Sequence, residues 1–471
     1  MRLEQITLEN YRCFDQLTID LHPQLTVLVA PNGGGKTSVL DATRVLFDTY
    51  LGAFATGVGK GIRVSDVRVA KVAPDLPAMR KEFPCQVQAV GVLSDGSKAV
   101  EWSRALNTPK SGTTIKDARV MALHAKEMQQ RSADSIEKIS WPLLSYYGTG
   151  RLWNQKKLTS GKMYSSGYLE RAAGYLDCLE PASSFKLFVN WFSYAYRSVT
   201  QAKIRFMETN PAATPQEVIG LQSVFSPLID AVREAVNVVL RPTGWGNIWY
   251  SEADQGLTAS HPDIGTLAVS QLSDGIRISL AVVADIAFRA VQLNPHLGAD
   301  AGRLTHGIVL IDEVDMHLHP SWQQLILQLL REAFPRLQFI VTTHSPQVLT
   351  SVDAACIRKL VATGDAEAGR GRIEVRTISQ QTRGLASADV LAAIMGVNPV
   401  PDVPEARKLS EYHALIQQDL YDSDEGVRLR AELDAHFSPN HPVMHECDRM
   451  IRLQAFKQKL PAMRGAASGD A

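Results

Sequence analysis

The chain has 471 residues, enough for more than one domain with a sizeable core. Its 49 Lys+Arg balance 49 Asp+Glu, a formal net charge of zero, which argues against coating of nucleic acid by bulk charge and leaves room only for a local basic patch. Cys13, Cys85, Cys178, Cys356 and Cys447 lie far apart with no C-x-x-C pair, which argues against a disulfide framework or zinc ribbon and fits a reducing cytoplasm.

The chain opens on MRLEQITLENYRCF, charged and already strand-like, so no signal peptide is expected. Residues 3–29 read as two strands, the second (Leu25, Val27, Val29) running up to a glycine-rich stretch. A helix is predicted from Thr37 to about Tyr50, then a long Gly/Pro-rich loop over 51–82. Cys85–Leu93 and Ala99–Leu106 read as antiparallel strands around the Ser-Asp-Gly-Ser turn at 94–97. An apolar run follows at Trp141–Tyr147, and amphipathic helices are predicted near 183–207 and 215–240. Strands return at Ile248–Ser251 and Leu267–Val269, before an apolar helix over Ile276–Val291. Asp285 and Arg289 interrupt that helix, which is too short and too charged for a bilayer span, so a soluble cytoplasmic protein without membrane contact is expected. Ile308–Ile311 reads as a buried parallel strand, followed by a helix over Ser321–Phe334, a strand over Gln338–Thr342 and short helices beyond 376.

Residues 30–37, APNGGGKT, stand between a strand and a helix, the context of a phosphate-binding loop. Gly33, Gly34 and Gly35, with Asn32 beside them, let backbone N–H groups turn toward phosphates at a helix N-terminus, where Ser38 also lies. Lys36 is the candidate for the β- and γ-phosphates and Thr37 for Mg²⁺; Ala30 replaces the usual first glycine and fits if its φ stays negative. In GIVLIDEVD (307–315), two carboxylates emerge where open α/β sheets place ligands. Asp312 is the candidate metal carboxylate and Glu313 the residue that orients or deprotonates water, although acids at a strand end are also often merely solvated.

LSDGIR (272–277) begins the apolar helix about 35 residues before that strand. Here the chain resembles the ABC/SMC-like ATPases, whose signature reads Leu-Ser-Gly-Gly; Asp274 stands at the first glycine. The resemblance implies an α/β ABC-type ATPase head, with a mixed sheet, an antiparallel β subdomain, a helical insertion and a helical C-terminal region. It implies that Ser273 and Gly275 bind the γ-phosphate held by a second copy, giving a head-to-tail dimer with ATP and Mg²⁺ as cofactors. Ser273 and Asp274 are also good helix caps, so a simple capped helix is the alternative. By the same resemblance, His344 in FIVTTHSP senses the γ-phosphate and Asp315 in VDMHLHP belongs to a loop that crosses the dimer interface. His317 and His319 lack a third ligand of suitable spacing for zinc.

YYGTGRLW (146–153), QLSDGIR (271–277), IDEVDMHLHPSW (311–322), TTHSPQVL (342–349) and TRGLASADVLAAIMGV (382–397) are similar to the stand-alone ATPases of bacterial antiphage defence. The sequence resembles the Septu ATPase family PtuA, including its retron-associated versions. That resemblance implies an HNH-type nuclease partner controlled by ATP-dependent dimerisation, with DNA or retron RNA–DNA as further ligands. The alternative within the class is a RecF-like DNA-repair ATPase binding DNA directly. The insertion lacks the heptads of a long-armed SMC protein, and no TOPRIM pattern follows residue 376. The expected organisation is lobe I with the phosphate loop (1–160), a helical insertion (161–245), lobe II (246–376) and a helical partner-docking region (377–471). HFSPNHPVMHEC (436–447) is read as structural, so no nuclease activity is expected in this chain. The region Tyr147–Arg151 is the best candidate for a glutamine-loop equivalent.

Overall fold

Strands β1 (Arg2–Tyr11), β2 (Phe14–Asp20), β3 (Leu25–Val29), β4 (Val69–Lys71), β5 (Met79–Lys81), β6 (Cys85–Val92), β7 (Val100–Leu106) and β8 (Leu143–Tyr147) occupy the first third of the chain. Strands β9 (Gly246–Ser251), β10 (Gly256–His261), β11 (Gly265–Ala268), β12 (Gly307–Ile311), β13 (Leu337–Thr342), β14 (Ile357–Thr363) and β15 (Arg372–Thr377) follow. This computed structural model describes residues 1–54, 61–71, 78–134, 138–150, 170–180, 185–221, 223–363 and 372–466.

The central sheet has the order β15-β14-β3-β13-β12-β8. All neighbours are parallel except β15, which pairs antiparallel with β14. Strands β3, β8, β12 and β13 are buried along their whole length, which is why they read as continuous apolar runs with no polar face. Their parallel sense carries the ends of β3, β8, β12 and β13 to one edge, where Ala30, Gly148, Asp312 and Thr343 begin the following loops. A second sheet, β2-β1-β6-β7, is antiparallel, and β6 alternates between buried and half-buried residues as a one-faced strand should. Gln338, buried in β13, joins the two sheets: it accepts from Leu3 N at 2.8 Å and donates to Leu3 O at 2.8 Å and His22 O at 3.1 Å. The fold is thus α/β, a mostly parallel central sheet with an antiparallel sheet beside it and added helical regions.

Three strands, not two, fill residues 2–29, because β1 and β2 form a hairpin with Tyr11 opposite Phe14. Its turn contains no glycine. Arg12 takes a left-handed φ of 50°, and its guanidinium bonds Asp41 at 2.7 Å and Asp66 at 2.9 Å. Long-range ion pairs therefore hold a turn that local chemistry does not announce. The predicted Thr37–Tyr50 helix is two helices, Lys36–Val45 and Asp48–Leu51. The helix expected over 215–240 is likewise divided, into Pro215–Gly220 and Ser226–Leu240. That over Ser321–Phe334 is divided into Pro320–Gln323 and Ile326–Ala333. Within the expected loop at 51–82, β4 and β5 pair as a short hairpin.

The helix Asp274–Leu293 is buried from Ile278 onward except at half-buried Ala281, and packs against Ser226–Leu240. Its two buried charges satisfy each other: Arg289 Nε donates to Asp285 Oδ2 at 2.8 Å. Among the described residues no helix is long and apolar enough to cross a membrane.

The chain divides into two compact units, Met1–Val390 and Leu391–Ala471. The second contains helices Pro404–Gln417, Asp424–Phe437 and Pro442–Ala466. Tyr412, Ile416, Leu429, Leu433, Met444 and Cys447 form its core. The 436–447 segment there is a helix end, a turn and a helix start rather than strands, and Cys447 Sγ lies 3.4 Å from His413 Nε2.

Candidate nucleotide site

The loop APNGGGKT leaves β3 and enters the helix Lys36–Val45. Gly33 and Gly35 have φ of 77° and 88°, left-handed values that a side chain would strain, and they turn the backbone back on itself. Gly35 also packs against Phe14 and Cys13 of the β1–β2 turn, where a Cβ has no room. Ala30 keeps a negative φ and is buried, so the missing first glycine does not disturb the loop. Lys36 is only 6% exposed, and its ammonium donates to the carbonyls of Ala30 at 2.8 Å and Pro31 at 3.3 Å. Burial lowers the Lys36 pKa, while the carboxylates of Asp312, Glu313 and Asp315 oppose that shift. A buried cation held only by carbonyls of its own loop fits an anionic ligand well. Asn32 and Thr37 are exposed beside it, and Ser38 is half-buried.

Thr37 Oγ1 donates to Asp312 Oδ2 at 2.8 Å, joining the phosphate loop to the end of β12. Thr342 Oγ1, from the neighbouring strand, donates to Asp312 Oδ1 at 2.6 Å. The same hydroxyl accepts from Glu313 N at 2.7 Å, and Thr342 O accepts from Val314 N at 3.0 Å. Glu313 sits at φ 47°, unusual for a residue with a side chain, and these two bonds hold it there. Thr342 thus holds the Asp312 carboxylate and the Glu313 backbone at once. Thr342 lies within FIVTTHSP, but a strand threonine gives no sequence sign of which distant groups it bonds. Thr343 Oγ1 donates to Asp315 Oδ1, and Gln323 receives Ser345 Oγ at 2.7 Å while donating to Leu318 O at 2.9 Å. These bonds fasten the 314–319 loop to the segment carrying His344, which is half-buried at the end of β13.

Ser273 is the N-cap residue of the helix Asp274–Leu293, but its hydroxyl makes no capping hydrogen bond and is exposed. Asp274 pairs with Arg277 at 3.2 Å instead. Gly275 is buried, and any Cβ there would run into the carbonyl of His317. The glycine therefore lets the signature segment lie directly on the 315–318 loop.

The pieces are a glycine-rich loop with a buried lysine after β3, two acids after β12 with β13 between the two strands, and the LSDGIR segment lying on the 315–318 loop. A family model described as "AAA domain" matches residues 5–191. A second, described as "AAA domain, putative AbiEii toxin, Type IV TA system", matches residues 197–350. The Retron Ec83 probable ATPase of Escherichia coli is 28% identical over 502 residues, spanning 95% of this chain and 86% of that protein. The chain is an ATPase, similar to AAA-domain proteins over most of its length. The Retron Vc95 probable ATPase of Vibrio cholerae is 26% identical over 76% of this chain and 73% of its own length. The Septu protein PtuA of Bacillus thuringiensis is 28% identical over 149 residues, 31% of this chain and 35% of that protein.

In this ATPase, Lys36, Thr37, Asp312, Glu313, Asp315 and His344 all follow carboxyl ends of adjacent parallel strands, while Gly275 meets the 315–318 loop from the start of its helix. Tyr147, within the expected glutamine-loop region, is 1% exposed with its hydroxyl on Asp285, so its ring is core rather than loop. Arg151 and the rest of RLW lie outside the described residues. His319 accepts from Ser321 N as a helix cap, and among the described residues no group of His, Cys, Asp and Glu could hold a metal on its own.

Proposed function

We propose that two copies of this ATPase close head to tail, so that the phosphate loop of each faces the signature segment of the other, and that closure reports nucleotide state to a nuclease partner of the HNH type in antiphage defence. The observation that carries the dimer is the exposed Ser273 hydroxyl, unused at a helix N-terminus whose next glycine is buried on the 315–318 loop. The relatives named for retrons and for Septu support the defence setting.

Within one copy, Lys36 turns from the Ala30 and Pro31 carbonyls to the phosphates of ATP, joined by the N–H groups of residues 33–38. Thr37 and Asp312, already in contact through a hydroxyl, would hold Mg²⁺, which neutralises phosphate charge when bound. Glu313, held by Thr342, orients the attacking water and accepts its proton. His344 and the partner copy's signature segment stabilise charge on the γ-phosphate. Closing the dimer buries the reacting groups away from bulk water, and hydrolysis releases it. The C-terminal helices are the proposed docking region for the nuclease.

The test uses Glu313→Gln. With ATP it should retain nucleotide and sediment as a dimer, its turnover falling by about 10²-fold or more. Adding Ser273→Arg should abolish that dimer while each copy still binds ATP. A dimer that survives Ser273→Arg rules out the shared site. Co-expression with an encoded HNH-type nuclease should yield a complex, and a nuclease that never co-purifies removes the partner assignment.

A further inference from the structure

The helix that begins with Ser273 is tied to the catalytic strand by a buried polar contact that the hydrolysis chemistry does not use. Tyr147, the last residue of β8, is 1% exposed, and its carbonyl accepts from Asp312 N at 2.8 Å, continuing the β8–β12 ladder into the acidic loop. Its hydroxyl donates to Asp285 Oδ2 at 2.8 Å, inside the helix Asp274–Leu293. The same oxygen accepts from Arg289 Nε at 2.8 Å, and Arg289 and Asp285 are each 1% exposed. Arg289 Nη1 in turn donates to the carbonyls of Gly174 at 2.9 Å and Leu176 at 3.0 Å. One end of this helix therefore carries the signature residues, and its middle is pinned to the residue that also pins Asp312.

Along a helix rising about 1.5 Å per residue, Asp285 lies roughly 18 Å from Ser273, with a continuous helix between them. A rigid helix turns a small displacement at Asp285 into a displacement of Ser273. A purely apolar contact would tolerate sliding, whereas a hydroxyl–carboxylate bond in a dry interior is directional and costly to break. Asp312 is where nucleotide and metal would act on this copy, while Ser273 serves the nucleotide of the other copy.

We infer that Tyr147 and Asp285 are positioning residues, which hold the signature helix in register with the Asp312 strand so that nucleotide bound in one site sets the placement of Ser273 for the other. The inference rests on the two-copy site proposed above. It predicts coupling between the two sites that passes through one removable hydroxyl.

The test is Tyr147→Phe in the full chain. The ring stays in place and only its hydroxyl is lost, so Arg289 still neutralises Asp285. Expected are ATP affinity of the single copy within about twofold of the parent, a turnover lower by about fivefold or more, and a Hill coefficient for ATP falling toward one. Hydrogen exchange supplies a readout that mere destabilisation does not move. In the parent, ATP should change the protection of residues 274–284, and in Tyr147→Phe that ATP-dependent change should vanish. Turnover, cooperativity and ATP-dependent exchange all matching the parent, even with a lowered Tm, would overturn the inference. Failure of the underlying site looks different: Lys36→Ala would then bind ATP normally, or Glu313→Gln would stay monomeric in ATP with Tyr147 intact.

Discussion

Thr342→Val replaces a hydroxyl by a methyl group of nearly the same shape at a position that is 0% exposed. Two hydrogen bonds disappear, one of 2.6 Å to the Asp312 carboxylate and one of 2.7 Å from Glu313 N. A buried bond to a charged acceptor contributes about 1.5–3 kcal/mol and a neutral one about 1 kcal/mol, so the variant should be less stable by roughly 2–4 kcal/mol. The loss is also specific. Glu313 sits at a left-handed φ that Thr342 helps to hold, so its carboxylate should drift from the position proposed for orienting water. A tenfold fall in turnover requires only about 1.4 kcal/mol of lost transition-state stabilisation, well within that range. Urea denaturation and steady-state phosphate release on the Val and Ser variants measure both effects. Thr342→Ser retains the hydroxyl and should behave close to the parent. If Thr342→Val matched the parent in both assays, the proposed role of this threonine in placing the two acids would be wrong.

Gly275→Ala should destabilise the protein by about 1–3 kcal/mol, because the added Cβ meets the His317 carbonyl and backbone must move. Single-copy ATP binding should survive it, while ATP-dependent dimerisation of the Glu313→Gln background is lost; calorimetry and sedimentation with ATP report the two. Burial, with Arg336 nearby, holds the His306 pKa down to about 3 from an ordinary 6.5. The unfolded chain therefore takes up a proton near pH 6.5 that the folded chain refuses. The contribution is fully present above that pH and declines on acidification toward pH 3, by at most about 1.4 kcal/mol per pH unit. His306→Gln should lose less stability than the parent between pH 6 and 4, and parallel urea-denaturation curves at both pH values would contradict this.

The sequence alone determined the elements whose chemistry is local. A glycine run between strand and helix can only turn tightly and expose its N–H groups, so Lys36 and Thr37 were legible from eight residues. Continuous apolar runs ending in carboxylates marked β12 with Asp312 and Glu313, and the loss of polar alternation announced a doubly covered parallel sheet. The signature helix was equally clear, though its serine could as well have been a plain cap. Only the tertiary structure shows the Ser273 hydroxyl without a capping bond and Gly275 lying on His317. It also decided which ordinary residues serve the site. Thr342 lies within FIVTTHSP, but its bonds to Asp312 and Glu313 follow from β13 lying beside β12, a pairing between residues about 30 positions apart. The glycine-free turn at Arg12 depends on Asp41 and Asp66, and the helix Arg119–Asp134 on a narrow stripe of Met121, Ala125 and Met128. The short strands β10, β14 and β15 went unread for the same reason: their partners, not their own periodicity, make them strands. Local backbone and solvation preferences are written in neighbouring residues, whereas a contact between distant segments exists only once the sheet has brought them together.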